Sequence, residues 1–528
     1  MLFNSYTFIF VFLPIVLLVF YKMGGNGKQL AAISWLVAAS LVFYAWWNPV
    51  YVYLLLGSVL INYTIGIYLS NNITSASKNI RVKTLLVTGI LINLCALSYF
   101  KYANFFVENA NILLGNSFHL DTIILPLAIS FFTFQQITYL VDSYRGLTKE
   151  HNFLHYCLFV TFFPQLIAGP IVHHKEMMPQ FLKDSVARFS HKNLAIGLSI
   201  FIIGLFKKVI VADNIGLYAT PMFDAAAQGM TVSFIEAWCG AMSYTFQLYF
   251  DFSGYSDMAV GLAYMFGIRL ALNFYSPYKA NNIIEFWRRW HITLSRFLRE
   301  YLYIPLGGNR NGAFRRYVNL MLVMLIGGFW HGAGWTFIVW GGLHGFYLTI
   351  NHIWRALKIK MFGSNNSNIL FWTFVSRMTT FIVIVIAWVF FRAENLPTAF
   401  EILKGMSGLN GVVLPPSYLG YANYLFSAGN LLQSFGVRFE DNVPFFGGPL
   451  QIVFLGMLIF SVWYLPNTHQ LFHKYSPFMN TTNIAQSSTF KLRFIWQARP
   501  AIAIGIIIMF FSAIFSMDIT SEFLYFQF

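Results

Sequence analysis

Residues 320–340 read Leu320-Met321-Leu322-Val323-Met324-Leu325-Ile326-Gly327-Gly328-Phe329-Trp330-His331-Gly332-Ala333-Gly334-Trp335-Thr336-Phe337-Ile338-Val339-Trp340. This stretch places one imidazole, that of His331, among glycines and between two apolar segments. A polar ring at membrane depth is costly, so such residues usually face a cavity or the interior of a helix bundle. Neutral histidine can accept a proton near pH 7. The stretch therefore indicates a membrane-embedded fold and makes His331 a candidate general base.

Composition places the whole chain in the same class. Of 528 residues, 57% are hydrophobic and only 10% are charged, whereas soluble proteins carry about 25% charged residues. We therefore predict an all-α polytopic membrane protein. A helical bundle in lipid can grow as one unit, so residues 1–528 are expected to form a single membrane-embedded domain. Cys95, Cys157 and Cys239 each lie in an apolar stretch, which predicts neither a disulfide framework nor a metal site.

Apolar stretches and basic residues together predict the spans and their orientation. The stretches suffice for about 11 to 13 transmembrane or re-entrant helices. They lie near 5–21, 29–47, 51–70, 84–104, 122–142, 193–212, 232–252, 256–275, 317–330, 335–354, 369–391, 449–465 and 500–516. Lysine and arginine collect in alternate connections and are absent from 105–121 and 209–268. The positive-inside rule then puts the basic loops in the cytoplasm and the N-terminus outside. No soluble basic face is visible, so no nucleic-acid partner is expected.

Two stretches resemble neither spans nor short loops. Residues 393–448 contain several prolines and glycines and are predicted to form an extracytoplasmic excursion with short amphipathic helices. Residues 279–316 hold eight basic residues against two acids. If 285–302 form one helix, with ~100° between successive residues, four arginines share one arc and His291 lies at its seam. These arginines are Arg288, Arg289, Arg296 and Arg299.

Two interpretations of this basic stretch remain open from the residues alone. In the first, the helix lies at the membrane interface, its arginines meet anionic lipid headgroups, and His291 is a bystander. In the second, an in-plane cytosolic helix borders a funnel, its arginines attract a phosphorylated donor, and His291 points into a tunnel. The following segment, 303–310, is expected to be a tight turn that closes the funnel.

His344 is a second histidine in the same apolar region. Thirteen residues separate it from His331, which on an unbroken helix means roughly 20 Å and nearly opposite faces. The two rings can share a site only if the chain breaks, and Gly341-Gly342 offer a place for a break. The alternative is structural, with His344 hydrogen-bonded to a neighbouring helix.

Asp251 and Asp257 lie six residues apart in a long uncharged region. Carboxylates at membrane depth demand partners or water. They are candidates for binding a cation or for orienting a histidine or arginine, although their spacing is not that of a calcium loop. The structural alternative is that each accepts from a nearby arginine or caps a helix that begins at Gly254 or Met258.

Several longer motifs contain these candidates. Within 242–345 they are Tyr244–Asp257 (YTFQLYFDFSGYSD), Glu285–His291 (EFWRRWH), Tyr301–Arg310 (YLYIPLGGNR), Gly328–Ala333 (GFWHGA) and Trp340–Gly345 (WGGLHG). Others are Phe163–Val172 (FPQLIAGPIV), the opening Met1–Ser5 and the closing Phe523–Phe528. This series resembles the membrane-bound O-acyltransferase family, and within it the bacterial alginate O-acetylation branch. The resemblance covers nearly the whole chain.

The resemblance implies a many-helix enzyme with a central tunnel in which donor and acceptor meet. The family's active-site histidine falls on His331 and its second recurrent histidine on His291. His344, Asp251 and Asp257 become secondary candidates, the aspartates as possible partners of His331. The implied acetyl donor is acetyl-CoA, with no bound cofactor and no metal. The residues expected to attract the donor are Arg288, Arg289, Arg296 and Asn309.

The implied function is passage of acetyl groups across the bacterial cytoplasmic membrane for O-acetylation of an extracytoplasmic polysaccharide such as alginate. Partner acetyltransferases outside the membrane would modify the polymer. His331 would deprotonate a hydroxyl or accept the acyl group itself, and His291 would orient reactants or stabilise the oxyanion. Another exopolysaccharide or a cell-wall glycan remains open as acceptor. A glycan or lipid-linked sugar transporter without acyl chemistry and a structural subunit of a polysaccharide-synthesis complex are the alternatives.

Overall fold

The computed structural model describes residues 1–25, 27–72, 80–150, 152–183, 186–362, 370–426, 429–440, 443–479, 495–517 and 524. The closing motif Phe523–Phe528, except Leu524, lies outside these residues. The described residues are mostly helical. Two pairs of short strands add parallel bridges, β1 (Leu270–Ala271) with β4 (Phe478–Met479) and β2 (Val412–Leu414) with β3 (Val437–Phe439). The prediction of an all-α polytopic membrane protein is confirmed.

The helices have the following bounds. In chain order they are α1 (Leu13–Gly25), α2 (Gln29–Ala45), α3 (Val50–Asn71), α4 (Ile80–Leu114), α5 (Ile129–Tyr144), α6 (Phe153–Thr161), α7 (Phe163–Leu166), α8 (His174–Phe181), α9 (His191–Phe206), α10 (Asp213–Ala227), α11 (Phe234–Met265), α12 (Ile283–Trp287), α13 (Ile292–Phe297), α14 (Gly312–His331), α15 (Trp335–Phe362), α16 (Leu370–Arg392), α17 (Leu396–Met406), α18 (Pro416–Phe426), α19 (Gly429–Ser434), α20 (Gly448–Tyr464), α21 (Thr468–Phe472) and α22 (Pro500–Phe515). Wider π-helical turns occupy Phe8–Phe12, Lys207–Ala212 and Leu298–Tyr303. Single 3-10 turns occupy Pro277–Lys279 and His473–Tyr475.

Several helices are long and apolar enough to cross a bilayer. Among the described residues, five qualify by length and composition, or six if a pair bent by 45° counts as one span. The five are Phe8–Gly25, Val50–Asn71, Ile80–Leu114, His191–Ala227 and Phe371–Arg392, and the bent pair is Gly448–Tyr464 with Thr468–Tyr475. The larger total of about 11 to 13 membrane helices, counted with re-entrant segments, stays a prediction.

The described residues form two compact units, each assembled from separate stretches of the chain. Unit one comprises Met1–Lys207, Ser253–Asn273 and the described residues from Pro466 onward. Unit two comprises Lys208–Phe252 and Phe274–Leu465. The candidate histidines His291, His331 and His344 all belong to unit two. The expectation of a single membrane-embedded domain stays a prediction.

Two differences from the predicted helices affect candidate site residues. One continuous helix, α11, covers most of the span expected near 232–252 and the first part of the span expected near 256–275. Asp251 and Asp257 therefore lie within a helix and cap none. The single helix expected over 285–302 is broken instead. The Asn282 side chain accepts from the Glu285 backbone N–H and starts α12, and His291, at φ 42°, separates α12 from α13. A left-handed residue ends a helix because its backbone no longer continues the right-handed path.

Helices α14 and α15 form an antiparallel hairpin that brings His331 and His344 against the same residue, Trp340. Glycines line the contact between them. A Cβ added to Gly328 would lie 2.3 Å from the Phe337 carbonyl oxygen, and one added to Gly341 would lie 2.4 Å from the Met324 carbonyl oxygen. Real Cβ atoms do not approach a backbone oxygen so closely, and only glycine permits this approach. The hairpin therefore depends on hydrogen in place of a side chain at these positions.

Candidate functional site

His331 is the last residue of α14. Gly332 follows it in an extended conformation and ends the helix. The His331 side chain is buried and lies against three aromatic rings. The ring centroids are 4.9 Å away for Trp330, 5.0 Å for Trp340 and 5.2 Å for Phe391. The helix end therefore places one imidazole among packed aromatic side chains, and this cluster is called the aromatic pocket below.

His344 lies one turn beyond Trp340 on α15, and its side chain is fully buried. Its ring centroid is 4.7 Å from that of Trp340. Trp287 Nε1 donates a hydrogen bond to His344 Nδ1 at 3.3 Å. An imidazole that accepts at Nδ1 carries its proton at Nε2 when neutral. The structure thus places His331 and His344 on the same indole ring.

The chain break that permits this arrangement is not the one predicted. Helix α15 continues through Gly341-Gly342, and the break falls at 332–334, between α14 and α15. Gly341 instead allows close packing of α14 on α15, because a side chain at this position would collide with the Met324 carbonyl oxygen. The break suggested at Gly341-Gly342 is therefore wrong, and a catalytic site shared by His331 and His344 stays a prediction.

Tryptophans from other elements complete the pocket wall. Trp388 of α16 stacks on Trp340, with centroids 5.7 Å apart and ring planes 19° apart. Trp287 of α12 meets the edge of Trp340 at 5.9 Å. Trp290 packs on Trp388 at 5.0 Å. The helical pattern of 285–302 assigns Trp287 and Trp290 only to an apolar helix face, and no sequence motif singled out Trp388. For Trp340, the sequence does offer two indications of a place beside His344. It lies in the WGGLHG motif, and it precedes His344 by four residues, which is one helical turn.

His291 occupies a different aromatic neighbourhood within unit two. It is fully buried, at the boundary of α12 and α13. Its ring meets Phe252 edge-on at 4.9 Å and stacks near Phe274 at 6.4 Å. It lies outside the helices long enough to cross a bilayer, and burial lowers the pKa of its imidazole to about 3, so the ring is neutral at pH 7. The part of His291 in catalysis stays a prediction.

Asp251 and Asp257 are bound to lysines. The Lys208 ammonium lies 2.7 Å from Asp251 Oδ1 and 2.7 Å from Asp213 Oδ1 in unit two. In unit one, the Lys207 ammonium lies 2.6 Å from Asp257 Oδ2. Neither aspartate caps a helix, so that part of the structural alternative is wrong, and lysines supply the cation that was expected from an arginine. Both lysines come from a π-helical turn, which offsets consecutive side chains from the usual helical rows. A role for either aspartate beside His331 stays a prediction.

Two of the arginines expected to attract a donor are held by acids on their own segments. Arg289 donates to Glu285 Oε1 through Nη2 at 2.7 Å and through Nε at 3.1 Å. Arg296 Nε donates to Glu300 Oε1 at 3.1 Å. Each pair is four residues apart, and such pairs stabilise helical turns. These two guanidiniums are partly neutralised and partly oriented before any donor arrives.

The remaining basic positions differ from these. Arg288 and Arg299 are exposed, and neither pairs with an acid among the described residues. Asn309 is also exposed, in the turn that follows the π-helical segment. The Asn319 side chain of α14 holds this turn by donating to the Gly308 carbonyl at 2.9 Å and to the Leu306 carbonyl at 3.2 Å. The expected tight turn is confirmed, and its closing of a funnel stays a prediction.

The FPQLIAGPIV motif belongs to the core of unit one. Residues 163–172 are buried throughout. The Phe163 ring packs with Phe43 at 5.5 Å and with Phe266 at 5.8 Å. A Cβ on Gly169 would lie 2.4 Å from the Gln165 Cα. The motif therefore has a packing role in the structure.

Unit one contains a cluster of an acid and two histidines that no sequence pattern predicted. Glu150 Oε2 lies 3.3 Å from His174 Nε2, and Glu150 Oε1 lies 3.6 Å from His155 Nδ1. Burial would raise the Glu150 pKa, but hydrogen bonds from His174 and the Asn152 N–H, with the histidine charges, lower it below 4.5. Within the ranges that the structure describes, no group of three or more side chains is suited to hold a metal ion.

Comparison with known proteins covers the elements that build the pocket. Residues 83–393 match the family model of MBOAT, the membrane-bound O-acyltransferase family. A peptidoglycan O-acetyltransferase of Helicobacter pylori is 50% identical over 440 residues, 78% of this chain and 81% of that protein. A probable alginate O-acetylase AlgI of Pseudomonas aeruginosa is 43% identical over 413 residues, 77% of this chain and 75% of that protein. A teichoic acid D-alanyltransferase of Streptococcus thermophilus is 30% identical over 240 residues, 44% of this chain and 58% of that protein.

Proposed function

The chain belongs to the membrane-bound O-acyltransferase family, and from this we propose that it moves acetyl groups from cytosolic acetyl-CoA to O-acetylation of a glycan outside the cytoplasmic membrane. One observation carries the proposal, the buried imidazole of His331 in the aromatic pocket of unit two. An imidazole with an unprotonated ring nitrogen can accept a proton from a hydroxyl group. His331 lies inside the segment that matches the family.

In the proposed reaction, His331 is the general base. A lone pair of the acceptor hydroxyl forms a bond to the thioester carbon, and the hydroxyl proton passes to a ring nitrogen of His331. The carbonyl π pair moves onto the oxygen and gives a tetrahedral oxyanion. When this species collapses, the C=O bond re-forms, the C–S bond breaks, and the thiolate takes the proton from His331. The enzyme returns to its starting protonation state.

The aromatic wall suits this chemistry for two reasons. Trp330, Trp340 and Phe391 exclude water from the imidazole. A thioester held there therefore reacts with the acceptor hydroxyl and is protected from hydrolysis. The same low-polarity surroundings strengthen every hydrogen bond to the developing charge. His291 retains its proposed part as a residue that orients the reactants, and its neutral ring fits a hydrogen-bonding role rather than a cationic one.

The donor is proposed to arrive from the cytosolic side. Arg288 and Arg299 are exposed cations close in sequence to the pocket-forming Trp287 and Trp290. Cations of this kind raise the local concentration of a phosphorylated ligand and speed its association. The N-terminus is proposed to lie outside the cytoplasmic membrane, and the stretch 393–448 is proposed to contact a partner acetyltransferase there.

The acceptor is proposed to be an extracytoplasmic polysaccharide. The identity of 50% to a peptidoglycan O-acetyltransferase, against 43% to a probable alginate O-acetylase, favours a cell-wall glycan ahead of alginate. Both acceptors present carbohydrate hydroxyls, so either can carry the acetyl ester.

The test uses cells that carry wild-type protein, His331→Gln protein or no protein, at matched membrane levels. Alkali-labile acetyl esters are measured separately on purified peptidoglycan and on exported polysaccharide. Loss of esters from one fraction with normal glycan yield identifies the acceptor and supports His331 in transfer. Retained esters in His331→Gln cells would overturn the catalytic assignment. Loss of the glycan itself would overturn acyl transfer in favour of transport.

A further inference from the structure

Two buried nitrogen atoms near His331 have no hydrogen-bond partner among the residues that the structure describes. They are Trp340 Nε1 and His344 Nε2. Both side chains are almost completely buried. They sit one helical turn apart on α15, with ring centroids 4.7 Å apart, and the Trp340 ring lies 5.0 Å from that of His331.

Both atoms are hydrogen-bond donors. The indole nitrogen can only donate. His344 Nδ1 already accepts from Trp287 Nε1, so the proton of the neutral ring lies on Nε2, which then also donates. The hydrogen bond from Trp287 thus fixes both the orientation of the His344 ring and the position of its proton on Nε2.

Unsatisfied donors at such positions are costly. A buried N–H without an acceptor has lost its hydrogen bonds to water and gained none in return, and most buried polar groups in folded proteins have partners. Two such donors on rings whose centroids are 4.7 Å apart, one of them against a candidate base, indicate an acceptor that comes from outside the protein. An oxygen atom that gains negative charge during a reaction is the acceptor that such a pair binds best.

We propose that Trp340 Nε1–H and His344 Nε2–H form the oxyanion-binding site of this enzyme, which holds the thioester carbonyl oxygen while His331 accepts the proton. The inference rests on the proposed function. It assigns to this pair the oxyanion role that the family resemblance suggested for His291, and leaves His291 with the orientation of reactants.

The pair acts at one point of the reaction. As the acceptor hydroxyl bonds to the acyl carbon and its proton goes to His331, the carbonyl π pair becomes a lone pair on oxygen. The two N–H groups then bind this oxygen more strongly than they bind the neutral carbonyl. When the C–S bond breaks and the thiolate leaves with the proton from His331, the oxygen returns to a carbonyl and the two bonds weaken. Neither donor changes its protonation state.

This selectivity for the transition state gives the inference a kinetic signature. Groups that bind only the developing oxyanion lower kcat when removed and leave KM for the donor nearly unchanged. Trp340→Phe keeps an aromatic ring in the wall and removes only the N–H. His344→Asn keeps a polar side chain and removes the ring N–H. Trp287→Phe removes the group that fixes the His344 tautomer.

The assay uses inverted membrane vesicles that expose the cytosolic face to radiolabelled acetyl-CoA. Initial rates of label entering alkali-labile glycan esters are measured against acetyl-CoA concentration and normalised to the protein present. Loss of one oxyanion donor is expected to lower kcat about 100-fold in Trp340→Phe and in His344→Asn. Trp287→Phe is expected to lower it about fivefold, the worth of one neutral hydrogen bond.

The matched control is Trp463→Phe. Trp463 Nε1 also lacks a partner among the described residues, but its ring packs on Phe374 and Phe381 of α16. Its loss is expected to change kcat less than about twofold. If Trp340→Phe cannot be obtained folded, His344→Asn alone decides.

The outcomes separate the two claims. A fall in kcat at constant KM in the two donor variants, with Trp463→Phe unchanged, supports the oxyanion site. Wild-type kcat in Trp340→Phe and His344→Asn, together with an inactive His331→Gln protein, overturns the oxyanion site and leaves the proposed function standing. If the two donor variants lose kcat/KM only because KM rises, with kcat unchanged, the oxyanion site is also overturned. An active His331→Gln protein overturns the proposed function and the inference with it.

Discussion

The close packing of α14 on α15 predicts opposite effects for alanine at two adjacent glycines. In Gly341→Ala, the new Cβ would lie 2.4 Å from the Met324 carbonyl oxygen and 3.1 Å from its carbon. Because a backbone atom cannot rotate away, the helices must separate by about 1 Å to restore ordinary contact. In Gly342→Ala, the nearest atom is Leu325 Cδ2 at 3.6 Å, an ordinary contact with a side-chain end.

The magnitudes follow from these distances. Overpacking at Gly341 costs about 1–3 kcal/mol, against a helix-propensity gain of about 1 kcal/mol that alanine brings at either position. Gly342→Ala keeps this gain and is expected to be as stable as wild type or more so. Trp340 lies next to Gly341, so a shift of about 1 Å there is expected to lower acetyl transfer about 100-fold in Gly341→Ala.

Thermal unfolding in detergent, followed by tryptophan fluorescence, measures the first effect. Initial rates of acetyl transfer in inverted vesicles measure the second. We expect lower stability and a lower rate for Gly341→Ala than for Gly342→Ala. If the two variants unfold at the same temperature and transfer acetyl at the same rate, the close approach of α14 and α15 is refuted.

Three further predictions concern other parts of the molecule. Lys208→Met leaves the buried Asp251 carboxylate without its cation and is expected to lower the stability of the protein by about 3–5 kcal/mol, measured by thermal unfolding. Arg288→Glu and Arg299→Glu are each expected to raise KM for acetyl-CoA about fivefold, and high salt should raise KM of the wild type in the same vesicle assay. The low pKa of Glu150 means that its contribution to stability is present above the pH at which the unfolded side chain titrates, near 4.5, and is lost as pH falls through the lower folded-state pKa. Unfolding temperatures of wild type and Glu150→Gln should therefore converge in acid.

Exposed residues of unit two supply the controls. Lys404, which is 58% exposed, pairs with a neighbouring acid on the surface, and Lys404→Met should cost less than about 1 kcal/mol. Arg438→Glu, in the stretch 393–448, should leave KM for acetyl-CoA unchanged. A Lys208→Met protein as stable as Lys404→Met, or an Arg438→Glu protein with the same rise in KM as Arg288→Glu, would contradict the corresponding prediction. A Glu150→Gln protein whose stability deficit persists at low pH would do the same for the third.

The fold class and the apolar surroundings of His331 could be predicted from the sequence because they depend on local composition. The scarcity of charge sets the membrane class, and His331 stands out because the residues on both sides of it are apolar or glycine. The pattern of hydrophobic residues does not reveal a single residue with a left-handed backbone conformation. A helical wheel of 285–302 therefore does not show the break at His291. The sequence likewise does not show whether a glycine pair ends a helix or lets a neighbouring helix pack closely. In the structure, Gly341 allows α14 to pack closely on α15.

The remaining features depend on contacts between distant segments. Asp251 lies 43 positions from Lys208 in the sequence, and nothing in the local pattern pairs them. The wall of the pocket draws Trp287, Trp340 and Trp388 from three helices. Each is unremarkable as an apolar residue in its own helix. Their common site appears only when α12, α15 and α16 are packed, which is also when the partner of His344 becomes visible.

The most direct test of the account measures acetyl transfer by His331→Gln protein in inverted vesicles supplied with acetyl-CoA. His352→Gln, on the same hairpin, is the control. Loss of the general base is expected to lower the rate by about 10²–10⁴-fold, and the control should stay within about twofold of wild type. Transfer at the wild-type rate by the folded His331→Gln protein would contradict the central claim that this buried imidazole carries out the acyl transfer.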